Sequence, residues 1–171
     1  YLYPTLKQCD EHNKNMLQML SHRVEIVCIK AKHKQLDYNQ KGQVYISSAN
    51  CNPMLIPADD RECAGLSSEL NISVDSVVML RRNINISDGL VNGARGIVTS
   101  FDWDSKDGTM PVAINVKFFN EDVGKVIKGS KNNSVAIEPA SAIFYRKKNS
   151  VLQRTQFPLS LSWASTIHKV Q

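Results

Sequence analysis

A chain of 171 residues with 42% apolar and 22% charged side chains is long enough to bury a core without covalent staples, and its composition is that of a globular protein. No apolar run approaches the roughly 20 residues that a membrane helix needs, which excludes a spanning segment and a membrane partner. The net charge of +5 is uneven, with eight Lys or Arg against nine Asp or Glu in residues 1–75 and thirteen against seven in residues 76–171, so the second part favours a polyanion, because lysines and arginines that neutralise phosphates release condensed counterions.

Tyr1 to Tyr3 followed by Pro4-Thr5 predicts the end of a strand and a turn into a helix, with Thr5 and Gln8 at capping-box spacing. Leu6, Cys9, Met16, Leu17 and Leu20 then recur at helical spacing, an apolar stripe suited to packing on a sheet. Val24 to Ile29 predicts a second, mostly buried strand. Residues 30–51 are polar and rich in Lys, Gln, Asn and Ser, which reads as a long excursion with little core of its own. Pro53 and Pro57 bracket Met54-Leu55-Ile56, and a short helix is expected between Arg61 and Leu70.

After Ser76 the texture changes to short β-prone runs at Val77–Leu80, Gly96–Trp103, Val112–Phe119, Val135–Ile137 and Ala142–Tyr145. Asp107-Gly108 is a tight-turn pair expected to join the second and third runs as a hairpin. Strands at this spacing suggest a small antiparallel barrel. A last strand is expected over Phe157–Ala164, with Ser165-Thr166 as a helix cap after it.

Cys9, Cys28, Cys51 and Cys63 form no Cys-x-x-Cys pair, which points to reduced thiols in an intracellular setting and away from a disulfide framework or zinc ribbon. Cys9 and His12 sit three apart on the predicted helix, but no second ligand pair accompanies them, so no metal is expected. The lysine-bearing stretch Gly124 to Lys131 has Gly-Ser-Lys where a phosphate-binding loop needs Gly-Lys-Ser/Thr, and no helical pattern follows it. Asp88 to Gly96, with three glycines and Asn92, marks a tight bend where backbone can approach another chain, and Arg95 places a charge there. Ser165 to Gln171, read as a strand running into a helix start, offers free amides together with Thr166, His168 and Lys169 as anion donors.

Three blocks resemble, in order, the Pif-like and RecD-like superfamily-one DNA helicases. Leu2-Tyr3-Pro4-Thr5 with its helix up to Asn13 is similar to motif IV; Val77 to Ile84 followed by Gly89 to Gly96 resembles the stretch entering the family's inserted barrel; Gln156 to Ala164 and Thr166 to Gln171 are similar to motif V. Pif-like helicases of animal genomes, including transposon-borne ones, are the most similar. The resemblance implies an α/β fold, a partial RecA-like domain with an inserted small antiparallel β-barrel of the Src-homology type. Residues 1–75 and 149–171 then belong to the second RecA-like domain and residues 76–148 to the barrel.

The same resemblance implies a 5′ to 3′ motor acting on single-stranded DNA in the nucleus, with ATP and Mg used by the full-length parent and none bound by this stretch alone. The other RecA-like domain, N-terminal to this stretch, is the implied protein partner. Thr166, His168, Lys169, Thr5, Asn92 and Arg95 are the implied DNA-binding residues, and Gln171 is implied to couple to ATP. Asp75 stands where the family usually has Gly, and the chain carries no Walker A loop, acidic magnesium motif or arginine-bearing motif VI. A non-catalytic nucleic-acid-binding barrel of degenerate helicase ancestry is the alternative reading, and a protein-interaction barrel a third.

Overall fold

Leu2–Tyr3 forms strand β1, and Thr5, in extended conformation, caps helix α1 at Leu6–Leu20. Thr5 Oγ1 accepts from the Gln8 amide at 3.3 Å and donates to Gln8 Oε1 at 2.8 Å. Half of the capping box therefore forms, while the glutamine turns to the hydroxyl. The buried positions of α1 are Cys9, Asn13 and Leu17, one face at fourfold spacing; Leu6, expected in the apolar stripe, is exposed.

This computed structural model describes residues 1–38, 44–48, 51–57, 59–104, 108–126, 133–145 and 151–166. The strands that follow are β2 (Val27–Lys30), β3 (Lys32–Tyr38), β4 (Val44–Ser48), β5 (Glu69–Ile72), β6 (Val77–Leu80), β7 (Arg95–Asp102) and β8 (Ala113–Phe118). Further on come β9 (Val135–Ile137), β10 (Ala140–Tyr145), β11 (Val151–Gln156), β12 (Leu159–Leu161) and β13 (Ser165–Thr166). No helix among the described residues is long and apolar enough to cross a membrane. The chain divides into two compact units, one made of Tyr1–Ile29, Asn71–Glu138 and Leu159–Gln171, the other of Lys30–Leu70 and Pro139–Pro158.

In the first unit an antiparallel sheet runs β12-β6-β7-β8-β9, and β1 lies parallel to β13. Val78, Leu80, Val98, Ile114, Val116 and Ile137 fill its interior. The hairpin expected between β7 and β8 is present, with Gly108 at φ 55; Asp107 lies outside the described residues. No closed barrel forms among the described residues: the sheet ends at β12 and β9, and β10, expected to share it, pairs with β11 instead. A short run with a free face does not carry in its own sequence which neighbour it will choose.

Entry into this sheet is a tight turn at Ser73–Ser76. Both serines are fully buried and hydroxyl-bonded to each other at 3.1 Å, and the Ser76 hydroxyl also accepts the Ser73 amide at 3.0 Å. Asp75 takes φ 66 and donates its amide to Val98 O at 2.9 Å. The left-handed backbone that glycine adopts freely is thus held here by an aspartate.

The second unit is built on an antiparallel sheet ordered β10-β11-β3-β4. Residues 30–51, expected to be an excursion, supply two of its strands. On β3 the inward His33 meets Arg154, which is 0% exposed. Its guanidinium donates to His33 Nε2 (2.9 Å), Asp60 Oδ1 (3.1 Å), Leu66 O (2.9 Å) and Pro57 O (3.0 Å). Burial first, then the Arg154 charge, hold the His33 imidazole below the usual histidine range, against a backbone hydrogen bond at Ala31 that raises it. Beside this cluster Cys63, Phe144 and Leu152 form an apolar core. The helix expected between Arg61 and Leu70 is only a 3-10 turn at Asp60–Cys63, closed by Ala64 at φ 54.

Candidate functional site

The closing strand and the opening strand meet side by side. Leu2 faces Ser165 and Tyr3 faces Thr166 in a parallel ladder, and the Tyr1 backbone nitrogen donates to Trp163 O at 3.0 Å. Helix α1 is tied to the same edge by Asn13, whose side chain donates to Leu161 O (3.4 Å) and Ala164 O (3.3 Å) and accepts the Ala164 amide (2.9 Å). Tyr3 and His12 share a hydrogen bond at 3.1 Å between the phenol and Nδ1. Ser165-Thr166, expected to cap a helix, is therefore a strand, because a partner far away in sequence takes its backbone groups.

Thr166 is buried in that ladder. Thr5 is exposed, but its hydroxyl is engaged with Gln8 as the cap of α1. His168, Lys169 and Gln171, the other expected contacts at this end, lie outside the described residues, as does 127–132 of the lysine-bearing stretch.

The glycine-containing bend of residues 84–96 is a compact loop. Leu90 is buried and exchanges backbone hydrogen bonds with Asn85. The buried Asp88 accepts the Gly124 amide on its carbonyl (2.8 Å) and the Val126 amide on Oδ1 (3.1 Å). Asn92 is exposed and donates its backbone amide to Asn83 Oδ1 at 2.8 Å. Arg95, also exposed, donates to the Ser162 carbonyl and lies 5.9 Å from the centre of the Phe119 ring. A cation over an aromatic face is attracted by the ring quadrupole. The arginine is thus fixed beside the β12–β13 connection that leads to Thr166, which brings two of the expected contact regions into one unit.

Among the described residues no group of three His, Cys, Asp or Glu is placed to hold a metal ion, Cys9 is buried in α1 and His12 Nδ1 is engaged with Tyr3. Gly124, at φ 73, is packed so closely on Val135 that a Cβ there would meet its Cγ2 at 2.3 Å. Its amide goes to the Asp88 carbonyl, where a phosphate cradle would need it free.

Sequence reasoning passed over Asn13 and Arg154. Each is a polar residue at a core position, and the one signal available was a polar interruption in an otherwise inward-facing pattern.

A family model described as DNA helicase Pif1, 2B domain, matches residues 65–101. Over 120 residues, 70% of the chain, the sequence is 35% identical to an ATP-dependent DNA helicase PIF1 of Xenopus laevis and covers 16% of that protein. The chain therefore spans about a sixth of the length of the curated relative it matches. The fold is similar to a crystal structure of Pif1 helicase from Candida albicans, with a TM-score of 0.66 at 23% identity, over 99% of this chain and 36% of that one. It is also similar to a Pif1 helicase from Bacteroides in complex with ADP-AlF3 and ssDNA, with a TM-score of 0.50 at 21% identity, over 99% of this chain and 31% of that one.

Proposed function

We propose, from the premise that this is a Pif1-like helicase chain, that it forms part of an ATP-dependent 5′ to 3′ DNA helicase and holds the backbone of single-stranded DNA. The observation that carries the reading is the likeness to Pif1 helicases, in sequence over 120 residues and in fold over 99% of the chain. A parallel strand pair with a covering helix is what the edge of a RecA-like sheet requires, so residues 1–75 and 149–171 are read as parts of the second RecA-like domain. Residues 76–148 are read as an inserted module of Src-homology type, of which the antiparallel β6–β9 strands are the support.

Single-stranded DNA is the partner because a relative of similar fold was crystallised with ssDNA and because Arg95 and Asn92 are exposed on one loop. Such contacts position the backbone without reading bases. ATP and Mg are assigned to the parent's other RecA-like domain, in keeping with the likeness to ATP-dependent helicases and with a relative of similar fold crystallised with ADP-AlF3. The role of this chain is to hold the strand while closure of the two domains advances it.

Labelled single strands titrated with the chain at rising salt test the reading. Affinity should fall linearly in log-log form as counterions are released, and the chain alone should show no ATPase activity. Absence of binding at low salt would remove the proposal.

A further inference from the structure

The β10-β11-β3-β4 sheet has a second face, turned away from Arg154. Cross-strand partners share a face, so the register of Ser141 with Thr155 and Lys32, and of Ile143 with Gln153 and Lys34, defines it row by row. Lys32 and Lys34 are exposed on β3. On β10, Ile143 is 51% and Tyr145 72% exposed. Gln153 and Thr155 lie half-buried between them on β11. Among the described residues these two rows hold two lysines and no Asp or Glu, Asp37 having the parity of the inner face, and the next row sets the exposed Tyr145 beside Val151 and Leu36, both buried.

We propose that this outer sheet face is a binding surface for single-stranded nucleic acid, with the lysines on phosphates and the Tyr145 ring against a base. The surface belongs to the second unit, whereas Thr5, Asn92, Arg95 and Thr166 belong to the first. It rests on the single-strand reading above and adds a second place of contact.

The chemistry is that of a sheet face presenting an exposed ring and an aliphatic side chain on one strand and cations on another. An exposed ring takes an unstacked base without regard to its identity, and a neighbouring ammonium takes the phosphate that follows. A duplex would offer its phosphates to the lysines but no base face to Tyr145. An acidic peptide would satisfy the lysines alone. The combination on one face favours the single strand. Tyr145 and Ile143 stand about 7 Å apart along β10, and the Gln153 amide beside Ile143 can donate to either a phosphate or a base edge.

The test uses the full chain and a fluorescent oligothymidylate, with anisotropy followed over a range of salt. Lys32→Glu with Lys34→Glu should lower the affinity at low salt at least about tenfold and flatten the log-log salt dependence by about 1.4 units, as expected for two lost phosphate contacts. Tyr145→Ala should lower the affinity about tenfold with the salt dependence unchanged, and Tyr145→Trp should retain binding and add fluorescence quenching, since stacking is not ionic. All these positions are exposed, so melting temperatures should stay at the parent value, which separates lost contact from lost fold. If the unaltered chain binds and these variants match it in affinity and slope, the surface assignment is wrong and the helicase reading stands. If the variants lose an acidic peptide but keep the oligonucleotide, the face serves a protein and the assignment also fails. If the unaltered chain binds no oligonucleotide at low salt, both fall.

Discussion

Arg154 Nε donates to His33 Nε2 across 2.9 Å, so that imidazole nitrogen must keep its lone pair bare. A protonated His33 would turn a donor toward the buried guanidinium. Burial first, and then the Arg154 charge, lower its proton affinity in the folded chain. The unfolded chain takes up the proton at the ordinary value near 6.5. Stability is therefore fully present above that value and is lost as pH falls from it toward the lowered folded one. Urea midpoints should drop between about pH 7.5 and pH 5.5, and His33→Gln, whose amide oxygen can still accept, should flatten the drop. An equal drop in that variant would assign the effect elsewhere.

Removing the guanidinium is a separate matter. Arg154→Ala strands the Leu66 and Pro57 carbonyls inside the second unit and takes a cation from Asp60. The expected loss is about 3 kcal/mol, at the lower end for a broken buried pair because the Asp60 side chain is 41% exposed. Lysine should not rescue it, since an ammonium cannot reach four acceptors set for a planar fork. Chemical denaturation of both variants decides the point.

Asp75→Gly should stabilise the chain. The aspartate holds φ 66 at the entry to β6, a region that costs a side-chain-bearing residue about 1–2 kcal/mol. Part of that gain is offset by the greater freedom of glycine in the unfolded state, which leaves a net rise of roughly 0.5–1 kcal/mol. A melting temperature unchanged or lowered would contradict it.

Asn13→Ala should cost about 2–3 kcal/mol, as expected when buried backbone groups lose their side-chain partner. The Ala164 amide and the carbonyls of Leu161 and Ala164 are the groups affected. Aspartate should be no better, because it keeps the acceptor but sets a charge against two carbonyls. Hydrogen exchange at the Ala164 amide reports the loss locally.

For Arg95→Ala the readout is binding. The arginine is exposed and is fixed by the Ser162 carbonyl and Phe119. Loss of one phosphate contact should weaken oligothymidylate binding several-fold and reduce the salt slope by about 0.7. An unchanged slope would show that the arginine only braces Ser162.

Where local rules governed, the sequence was readable. The cap at Thr5, the helix after it, the runs that became β6 to β9 and the hairpin at Gly108 all follow from spacing and turn chemistry within a dozen residues. The polar strand Lys32–Tyr38 was not readable, because its inward His33 and Gln35 lack the apolar alternation by which a strand is recognised. The inward placement of His33 makes sense only with Arg154, which arrives opposite it on β11. The helix cap expected at Ser165-Thr166 gave way to a strand for a related reason: a short polar pair reads as a cap until β1 is known to lie beside it. The remaining expected contacts, His168, Lys169 and Gln171, rest on resemblance.

The ladder between β1 and β13 also sets a schedule for synthesis. Tyr1 and its acceptor Trp163 are 162 residues apart, and a ribosome adding roughly 5–20 residues each second needs about 8–30 s to cover that distance. Through that interval the first strand waits without its mate, with Tyr1, Leu2 and Leu6 offering apolar surface that stays exposed even in the finished fold. Holdase chaperones that favour such segments have a long opportunity here, and a nascent chain stalled before β12 should be captured through the segment that carries β1.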